Sequence, residues 1–344
     1  MPHPLDVSPG RPLRLGLLGA AQIAPKAAIL PARRRADVEI AAVAARDPAR
    51  AAEFAAEHGI ARALPTYEAL VGDPELDAVY NALPNHAHGL WSIRALEAGK
   101  HVLCEKPVAC NADEARAMVE TARAADRLLV EAFHYPYHPL TERWRQLLRD
   151  GAIGEIRRLC AMFRASIPET DIRYDYSLAG GALMDLGCYC IHLVRLAAGQ
   201  EPTVERARAT EGPPHVDVEF EADLRFPGGA SAEIICAMNL DRGKAQRRYE
   251  ASLTIEGTHG RLEVDSPTLP HLRNHLRVRG RVDRDEVVPG QTTYDYQLEA
   301  FVDALRTGRP PLTSGEDMLG NMRVIDAAYV AAGLPLRGAS EASG

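Results

Sequence analysis

The chain has 344 residues, 46% apolar and 25% charged, with a net charge of -7, enough for two domains and a large core and ordinary for a globular protein. Its arginines are scattered through both halves and form no basic stripe, which argues against nucleic acid or a membrane surface as partners. The six cysteines, at 104, 110, 160, 188, 190 and 236, fit neither a zinc site nor a small disulfide framework, so the cytoplasm is the expected compartment.

Residues 1–13 begin Pro- and Gly-rich, without the apolar core of a secretion signal, and read as a disordered lead-in. No apolar run is expected to reach the roughly 20 residues of a membrane helix. Arg14–Leu18 is a short apolar strand, followed by Gly19-Ala20-Ala21-Gln22-Ile23-Ala24 and a helix-compatible stretch from Pro25 to Pro31. Strand, small-residue turn and helix are the context of a dinucleotide fingerprint, although alanine replaces its second and third glycines at 21 and 24. The second strand, Val38–Ala44, ends in Ala45-Arg46-Asp47. An acid at that place would grip the adenosine ribose, whereas an arginine can pair with a 2'-phosphate, so Arg46 points to NADP(H) over NAD(H), against the alternative of a solvated charge at a helix start. Asp47 reads as the cap of a helix over Pro48–His58.

The rhythm continues with a strand over Asp77–Leu83, the loop Pro84-Asn85-His86-Ala87-His88, and a helix running to Gly99. Next come the strand His101–Cys104, a helix over Ala112–Ala125 and the strand Leu128–Phe133. Strands alternating with helices predict a doubly wound parallel sheet over residues 14–138. Glu105, Lys106 and Pro107 then stand at the carboxyl end of a buried strand, where such sheets bind ligands. The competing reading is a plain Glu-Lys pair at a strand end.

Beyond Pro139 a helix over Leu140–Arg149 gives way to strand-like stretches at Glu155–Ala165, Val216–Phe226, Ala230–Leu240, Arg248–Glu256 and Leu272–Val278, with a hairpin signal at Phe226-Pro-Gly-Gly229. Helices over Tyr294–Arg306 and Gly315–Ala332 close the chain. This predicts a second α+β domain with a mainly antiparallel sheet over 139–334, its last helices returning to the first domain, and a tail over 335–344.

Between these elements lies Gly180-Gly-Ala-Leu-Met-Asp185-Leu-Gly-Cys-Tyr189-Cys-Ile-His192. On a helix, Asp185, Tyr189 and His192 fall at i, i+4 and i+7, on one face. Three titratable groups in line on an apolar helix suggest a site lining a cleft, against the alternative of a solvent-facing stripe. Cys188 and Cys190, two apart, diverge on a helix, so no metal is expected there or at His134, His138 and His192.

Gly19–Ala24, Asn81-Ala-Leu-Pro-Asn85 with His88, Glu105-Lys106-Pro107 and the Asp185/Tyr189/His192 helix together resemble the glucose-fructose oxidoreductase / inositol dehydrogenase (Gfo/Idh/MocA) family. The likeness spans nearly the whole chain, with Glu131-Ala-Phe133 and Tyr294-x-x-Gln297 adding to it. It implies an N-terminal Rossmann domain, an open-faced C-terminal sheet and a homodimer or homotetramer formed through that sheet. It also implies a dinucleotide held by Gly19 to Ala24, Ala45, Arg46, Leu83, Pro84, Asn85, His88, Glu105 and Lys106, with Lys106 at the nicotinamide and often a cis bond to Pro107. Tyrosine at 189, where other members carry histidine, is similar to the branch of dihydrodiol dehydrogenases, xylose dehydrogenases and deoxysugar 3-ketoreductases.

Hydride transfer to or from a carbinol carbon needs a proton moved at its oxygen, and Tyr189 is the expected acid/base, with Lys106 and Asp185 beside it and His192 and Tyr135 contacting substrate. A sugar, keto sugar, cyclitol or dihydrodiol all suit such a set. Two alternatives stay open: the same fold with a tightly held nucleotide performing internal redox, and a non-catalytic NADP-binding sensor.

Overall fold

The computed structural model describes residues 11–240 and 249–338. Most of the expected lead-in, Arg248 at the head of one expected strand, and residues 339–344 lie outside the described residues. The described residues divide into two compact units, one of those up to Phe133 with Tyr294–Leu319, the other of those in His134–Thr293 with those from Gly320.

The first unit holds β1 (Leu13–Leu18), β2 (Val38–Ala44), β3 (Arg62–Leu64), β4 (Ala78–Asn81), β5 (His101–Cys104) and β6 (Leu129–Glu131), all parallel, in the order β3-β2-β1-β4-β5-β6. The order reverses between β1 and β4, the switch point at which a doubly wound sheet opens a crevice at its carboxyl edge. β4 and β5 are buried along their whole length, as strands covered on both faces must be. The helices are α1 (Leu30–Arg33), α2 (Pro48–His58), α3 (Tyr67–Val71), α4 (His88–Glu97) and α5 (Ala112–Ala124). Asp47 caps α2 as expected, accepting from the Ala49 N–H at 2.9 Å. β3 and α3 escape the sequence reading because three residues of Arg-Ala-Leu and five of Tyr-Glu-Ala-Leu-Val are too short to show a period.

Two terminal helices follow, α8 (Thr293–Thr307) and α9 (Glu316–Ala331), after α6 (Pro139–Arg149) and α7 (Cys188–Ala198) of the second unit. Leu298, Phe301, Val302 and Leu305 of α8 enter the first unit's core beside Ala24, Ala28, Ile29 and Tyr80. Each large side chain buried there stabilises by about 1.5–3 kcal/mol.

The second unit carries a sheet of eight strands, β7 (Ile156–Ala165), β8 (Thr203–Glu211), β9 (Asp217–Arg225), β10 (Ser231–Ala237), β11 (Tyr249–Gly257), β12 (Gly260–Asp265), β13 (His275–Arg279) and β14 (Arg284–Val287). Their order is β14-β13-β12-β11-β7-β10-β9-β8, antiparallel except for β10 with β7. The expected hairpin joins β9 to β10, with the Phe226 N–H donating to the Ala230 carbonyl at 2.9 Å. Leu159, Ala161 and Phe163 on β7 are buried, whereas the alternate Arg158, Cys160, Met162 and Arg164 are not.

Three expectations need correction. The helix over residues 180–195 is not one regular helix: a π turn, Leu183–Gly187, precedes α7, with the Cys188 N–H donating to the Leu183 carbonyl. A second π turn, Pro25–Ile29, opens the helix after the glycine turn. Nor does the chain lack a span of membrane length, since Tyr176–Ala198 has the length and composition to cross one; 89% of its most apolar window is buried inside the fold, as a core helix requires. Finally, the stretch from Pro335 is not all tail, because Arg337 is fully buried and paired with Asp217.

Three buried histidines, His88, His101 and His138, make stability fall in acid. His101 and His138 each accept a backbone N–H through Nδ1, from Leu128 at 2.9 Å and Leu140 at 3.1 Å, a bond that only an unprotonated Nδ1 can make. Burial pushes both rings down to about 4. The unfolded rings take up protons near pH 6.5, so between 6.5 and 4 the unfolded chain binds more protons and stability drains as pH falls. His101 alone accounts for roughly 3 kcal/mol of that loss. Melting temperatures measured from pH 7.5 to 4 should fall steeply below pH 6.5, and less so in His101→Asn, which keeps an acceptor but cannot titrate. A wild-type profile flat over this range would contradict the assignment.

Candidate active site

In the first unit the candidate residues gather at the carboxyl edge of the sheet. Gly19 follows β1 at φ +98°, and a Cβ there would lie 3.2 Å from the Leu83 side chain and 3.4 Å from the Ala82 carbonyl, so the turn needs glycine. Ala20, Ala21 and Ile23 of the turn pack partly buried against the core, with Ala24 fully buried. Gln22 is part of the same turn. Ala45 and Arg46 follow β2. Arg46 is exposed and makes no ion pair among the described residues.

The two loops after β4 and β5 are tied to each other. Asn81 is fully buried; its Nδ2 donates to the His88 carbonyl at 3.2 Å and to Ser92 Oγ at 3.1 Å, while Oδ1 accepts the Leu83 N–H at 3.3 Å. That holds Leu83, Pro84 and Asn85 in place. His88 is 0% exposed, and its Nε2 and Nδ1 lie 2.8 Å from the carbonyls of Leu83 and Pro107. The ring is thus a strut between the loops rather than a surface group. Burial pushes its pKa down to about 4, although both carbonyls favour a protonated ring.

Lys106 precedes a cis bond to Pro107, as the resemblance implied. Tyr80 of β4 donates its hydroxyl to Glu105 Oε1, and the Lys106 N–H faces Glu105 Oε2 at 3.3 Å. On the far side of the proline, Glu131 Oε1 accepts the Val108 N–H at 2.9 Å, and Glu131 is 0% exposed. Lys106 is therefore carried on a loop fixed by Tyr80, His88 and Glu131. Tyr294 of α8 lies near Glu105, and burial with that charge pushes its phenol up.

In the second unit, Tyr189 is 6% exposed, and its hydroxyl meets His134 Nε2 at 3.2 Å. Its ring is 5.6 Å from Phe163 in a T-shaped contact and 6.1 Å from Tyr135. His192 Nδ1 pairs with the Tyr135 hydroxyl, both residues being buried. Asp185, in the π turn, has the Arg173 Nε 2.8 Å from its Oδ2. The helix thus brings Tyr189 and His192 into one aromatic cluster with Tyr135 and gives Asp185 a different neighbour. His134 and Arg173 were not assigned these partners from sequence: both lie in irregular stretches whose distance from the helix in sequence hides their proximity. The Asp185 charge pushes the Arg173 guanidinium, already fully ionised, further up.

A dinucleotide fits the first unit's edge. The glycine turn offers backbone at close approach and Arg46 an exposed cation; elsewhere in the unit, on α8, the Gln297 carboxamide, 1% exposed, has no hydrogen-bond partner for Nε2 or Oε1 among the described residues. A buried amide left unpaired costs about 1–3 kcal/mol, which a ligand contact would offset. Among the described residues, no group of three or more His, Cys, Asp or Glu is placed to hold a metal.

A parallel sheet in Rossmann order with a lysine at its carboxyl edge, and a separate α+β unit with a tyrosine–histidine pair, define a nucleotide-dependent oxidoreductase. Residues 13–133 match the model of an oxidoreductase family with an NAD-binding Rossmann fold, and 141–263 match the GFO/IDH/MocA C-terminal domain. The chain belongs to the Gfo/Idh/MocA family of oxidoreductases. It is 36% identical over 327 residues, 93% of this chain and 97% of the other, to D-xylose 1-dehydrogenase (NADP(+)) 2 of Haloferax volcanii. It is 36% identical over 316 residues, 89% and 92% of the two chains, to dTDP-3,4-didehydro-2,6-dideoxy-alpha-D-glucose 3-reductase of Streptomyces antibioticus. Among solved structures, the 3-ketoreductase KijD10 of Actinomadura kijaniata, in complex with NADP and TDP-benzene, superposes with a TM-score of 0.85 at 30% identity, covering 93% of this chain and 98% of its own.

Proposed function

We propose that this chain is an NADP(H)-dependent oxidoreductase acting on a carbinol or keto carbon of a sugar or related polyhydroxylated ring, with Tyr189 as acid/base and Lys106 assisting. The observation that carries the reading is the Tyr189 hydroxyl held 3.2 Å from His134 Nε2 in an aromatic pocket. A phenol so held can give a proton to, or take one from, a substrate oxygen, and the imidazole offers it a partner in the exchange. The dinucleotide supplies or accepts the hydride.

Lys106 favours negative charge on the substrate oxygen, and its loop keeps the ammonium in one place. In the second unit Asp185, ion-paired with Arg173, binds a neighbouring substrate hydroxyl, and Tyr135 and His192 are further substrate contacts. The similarity to an NADP-dependent xylose dehydrogenase and to a keto-sugar reductase supports a sugar-like ring. The working form is a homo-oligomer built on the second unit's sheet.

The test is reduced-nicotinamide absorbance with NADP(H) and NAD(H) across sugars, keto sugars, cyclitols and dihydrodiols, with Lys106→Met as the blank. Turnover on one class, absent from the blank, is expected; tight nucleotide binding without turnover on any class would overturn the reading. Arg46→Ala should weaken NADPH about 10- to 100-fold, the worth of a charged hydrogen bond, and NADH hardly at all. Equal losses for the two nucleotides, measured by fluorescence titration, would show that Arg46 does not read the 2'-phosphate.

A further inference from the structure

Arg337 lies well beyond residue 263, where the match to the family's C-terminal domain stops, yet it is 0% exposed. Its Nη2 donates to Asp217 Oδ1 at 2.7 Å, its Nε to the Gly180 carbonyl at 2.7 Å and its Nη1 to the Pro335 carbonyl at 3.0 Å. The guanidinium lies over the Tyr329 ring at 4.1 Å and the Tyr176 ring at 5.0 Å, and the Tyr176 hydroxyl donates to the Leu336 carbonyl at 2.8 Å. Asp217, also 0% exposed, accepts from the Tyr329 hydroxyl at 3.0 Å and, through Oδ2, from the Leu183 N–H at 2.6 Å. A buried ion pair of this kind is weak evidence of net stability, since desolvation offsets much of the attraction. What it does supply is geometry.

That geometry leads to the candidate chemistry. Leu183 is the first residue of the π turn that holds Asp185. Gly181, at φ +132°, leaves no room for a Cβ, which would sit 2.2 Å from Asp217 Oδ1 and 2.9 Å from Arg337 Nη2. Its N–H donates to the Arg173 carbonyl at 2.9 Å, and its carbonyl accepts the Asp185 N–H at 3.0 Å. Gly180, held through its carbonyl by Arg337, and Gly181, close-packed against Asp217, thus lead directly into the backbone bonds that place Asp185 and its partner Arg173. Lower on the same helix, Asn321 Nδ2 donates to the Cys188 carbonyl at 3.2 Å, immediately before Tyr189.

We propose that Arg337 is a positioning residue for the reaction: by forking between Asp217 and the Gly180 carbonyl, it sets the start of the helix that presents Asp185 and Tyr189. The inference rests on the reading of those two residues as the substrate-handling pair. It makes the segment after α9 part of the machinery without any contact with substrate.

The experiment uses the full chain as Arg337→Met, with Tyr329→Phe as a milder variant that removes a single hydrogen bond to Asp217. Melting temperature, NADPH affinity by fluorescence titration, kcat and KM are measured well below each melting point. The expected result is kcat down by about 10- to 100-fold in Arg337→Met and by roughly 3- to 10-fold in Tyr329→Phe, as misplacement of reacting groups gives, with NADPH affinity within about twofold. A merely structural arginine would lower the melting temperature and leave kcat untouched, and that outcome would overturn the proposal. If Arg337→Met does not fold, unchanged kcat in Tyr329→Phe overturns it alone. Tyr189→Phe assayed alongside separates the failures. Wild-type turnover there sinks the catalytic reading, whereas loss of turnover there beside a fully active Arg337→Met or Tyr329→Phe sinks only the role of Arg337.

Discussion

Lys106→Met should lose about 10²- to 10³-fold in kcat, the usual effect of deleting one preorganised charge that stabilises a developing oxyanion. Methionine keeps most of the aliphatic stem and removes the ammonium, so the test isolates charge from packing. The surroundings make it a clean substitution. Tyr80 still holds Glu105, Glu131 still accepts the Val108 N–H, and His88 still spans the Leu83 and Pro107 carbonyls, since none of these bonds uses the lysine side chain. The loop should keep its shape and the nucleotide its affinity. Single-turnover decay of reduced-nicotinamide absorbance, with bound NADPH quantified separately, gives both quantities. A variant that turns over at the wild-type rate would remove Lys106 from the mechanism; one that loses NADPH as well as turnover would move its role to nucleotide binding.

Tyr189→Phe is expected to cost about 10²- to 10⁴-fold in turnover, the range for loss of a positioned acid/base. The phenylalanine ring retains the contacts with Phe163 and Tyr135, so the cluster stays packed. His134 Nε2 loses the hydroxyl at 3.2 Å. The histidine is therefore the natural second site: if the imidazole exchanges a proton with the phenol, His134→Asn should lower kcat while leaving NADPH affinity intact. Full turnover in Tyr189→Phe would dismiss it as the acid/base.

Much of this was legible in the sequence. The parallel sheet announces itself through apolar runs such as Ala78–Asn81 and His101–Cys104, and the position of Lys106 follows from where such a run stops. The second sheet is harder to read. β8 and β14 were missed because their residues are mainly polar and half-exposed: Arg206 and Arg208 pair across to Asp223 and Glu221, so charge pairing along β8 stands where an apolar alternation would mark a strand. β12 is a short return strand after a turn at 258–259.

The site divides in the same way. Residues within one motif, Gly19 to Ala24 or Glu105 to Pro107, fall together because a single turn holds them. His134 with Tyr189, Arg173 with Asp185 and Arg337 with Asp217 are separated by 55, 12 and 120 residues, and nothing local encodes such pairs. Nor does the spacing of Asp185, Tyr189 and His192 reveal that the first turn is π rather than α. His88 looks from its motif like a group facing ligand; only its burial between two carbonyls shows it to be a strut.

The π turns bear on how this chain tolerates changes in length. A turn closed from residue i to i+5 stores one residue more than an α turn, and in a regular helix that extra residue would swing everything after it by about 100°. At Leu183–Gly187 the surplus is absorbed within the turn itself. A deletion there can be taken up by tightening π to α, leaving the Tyr189 phenol against His134 and the His192 ring against Tyr135. Two chains that differ by a residue between Gly181 and Cys188 can therefore keep the same phenol in the same place, and a gap in their alignment at that point need not separate their chemistry.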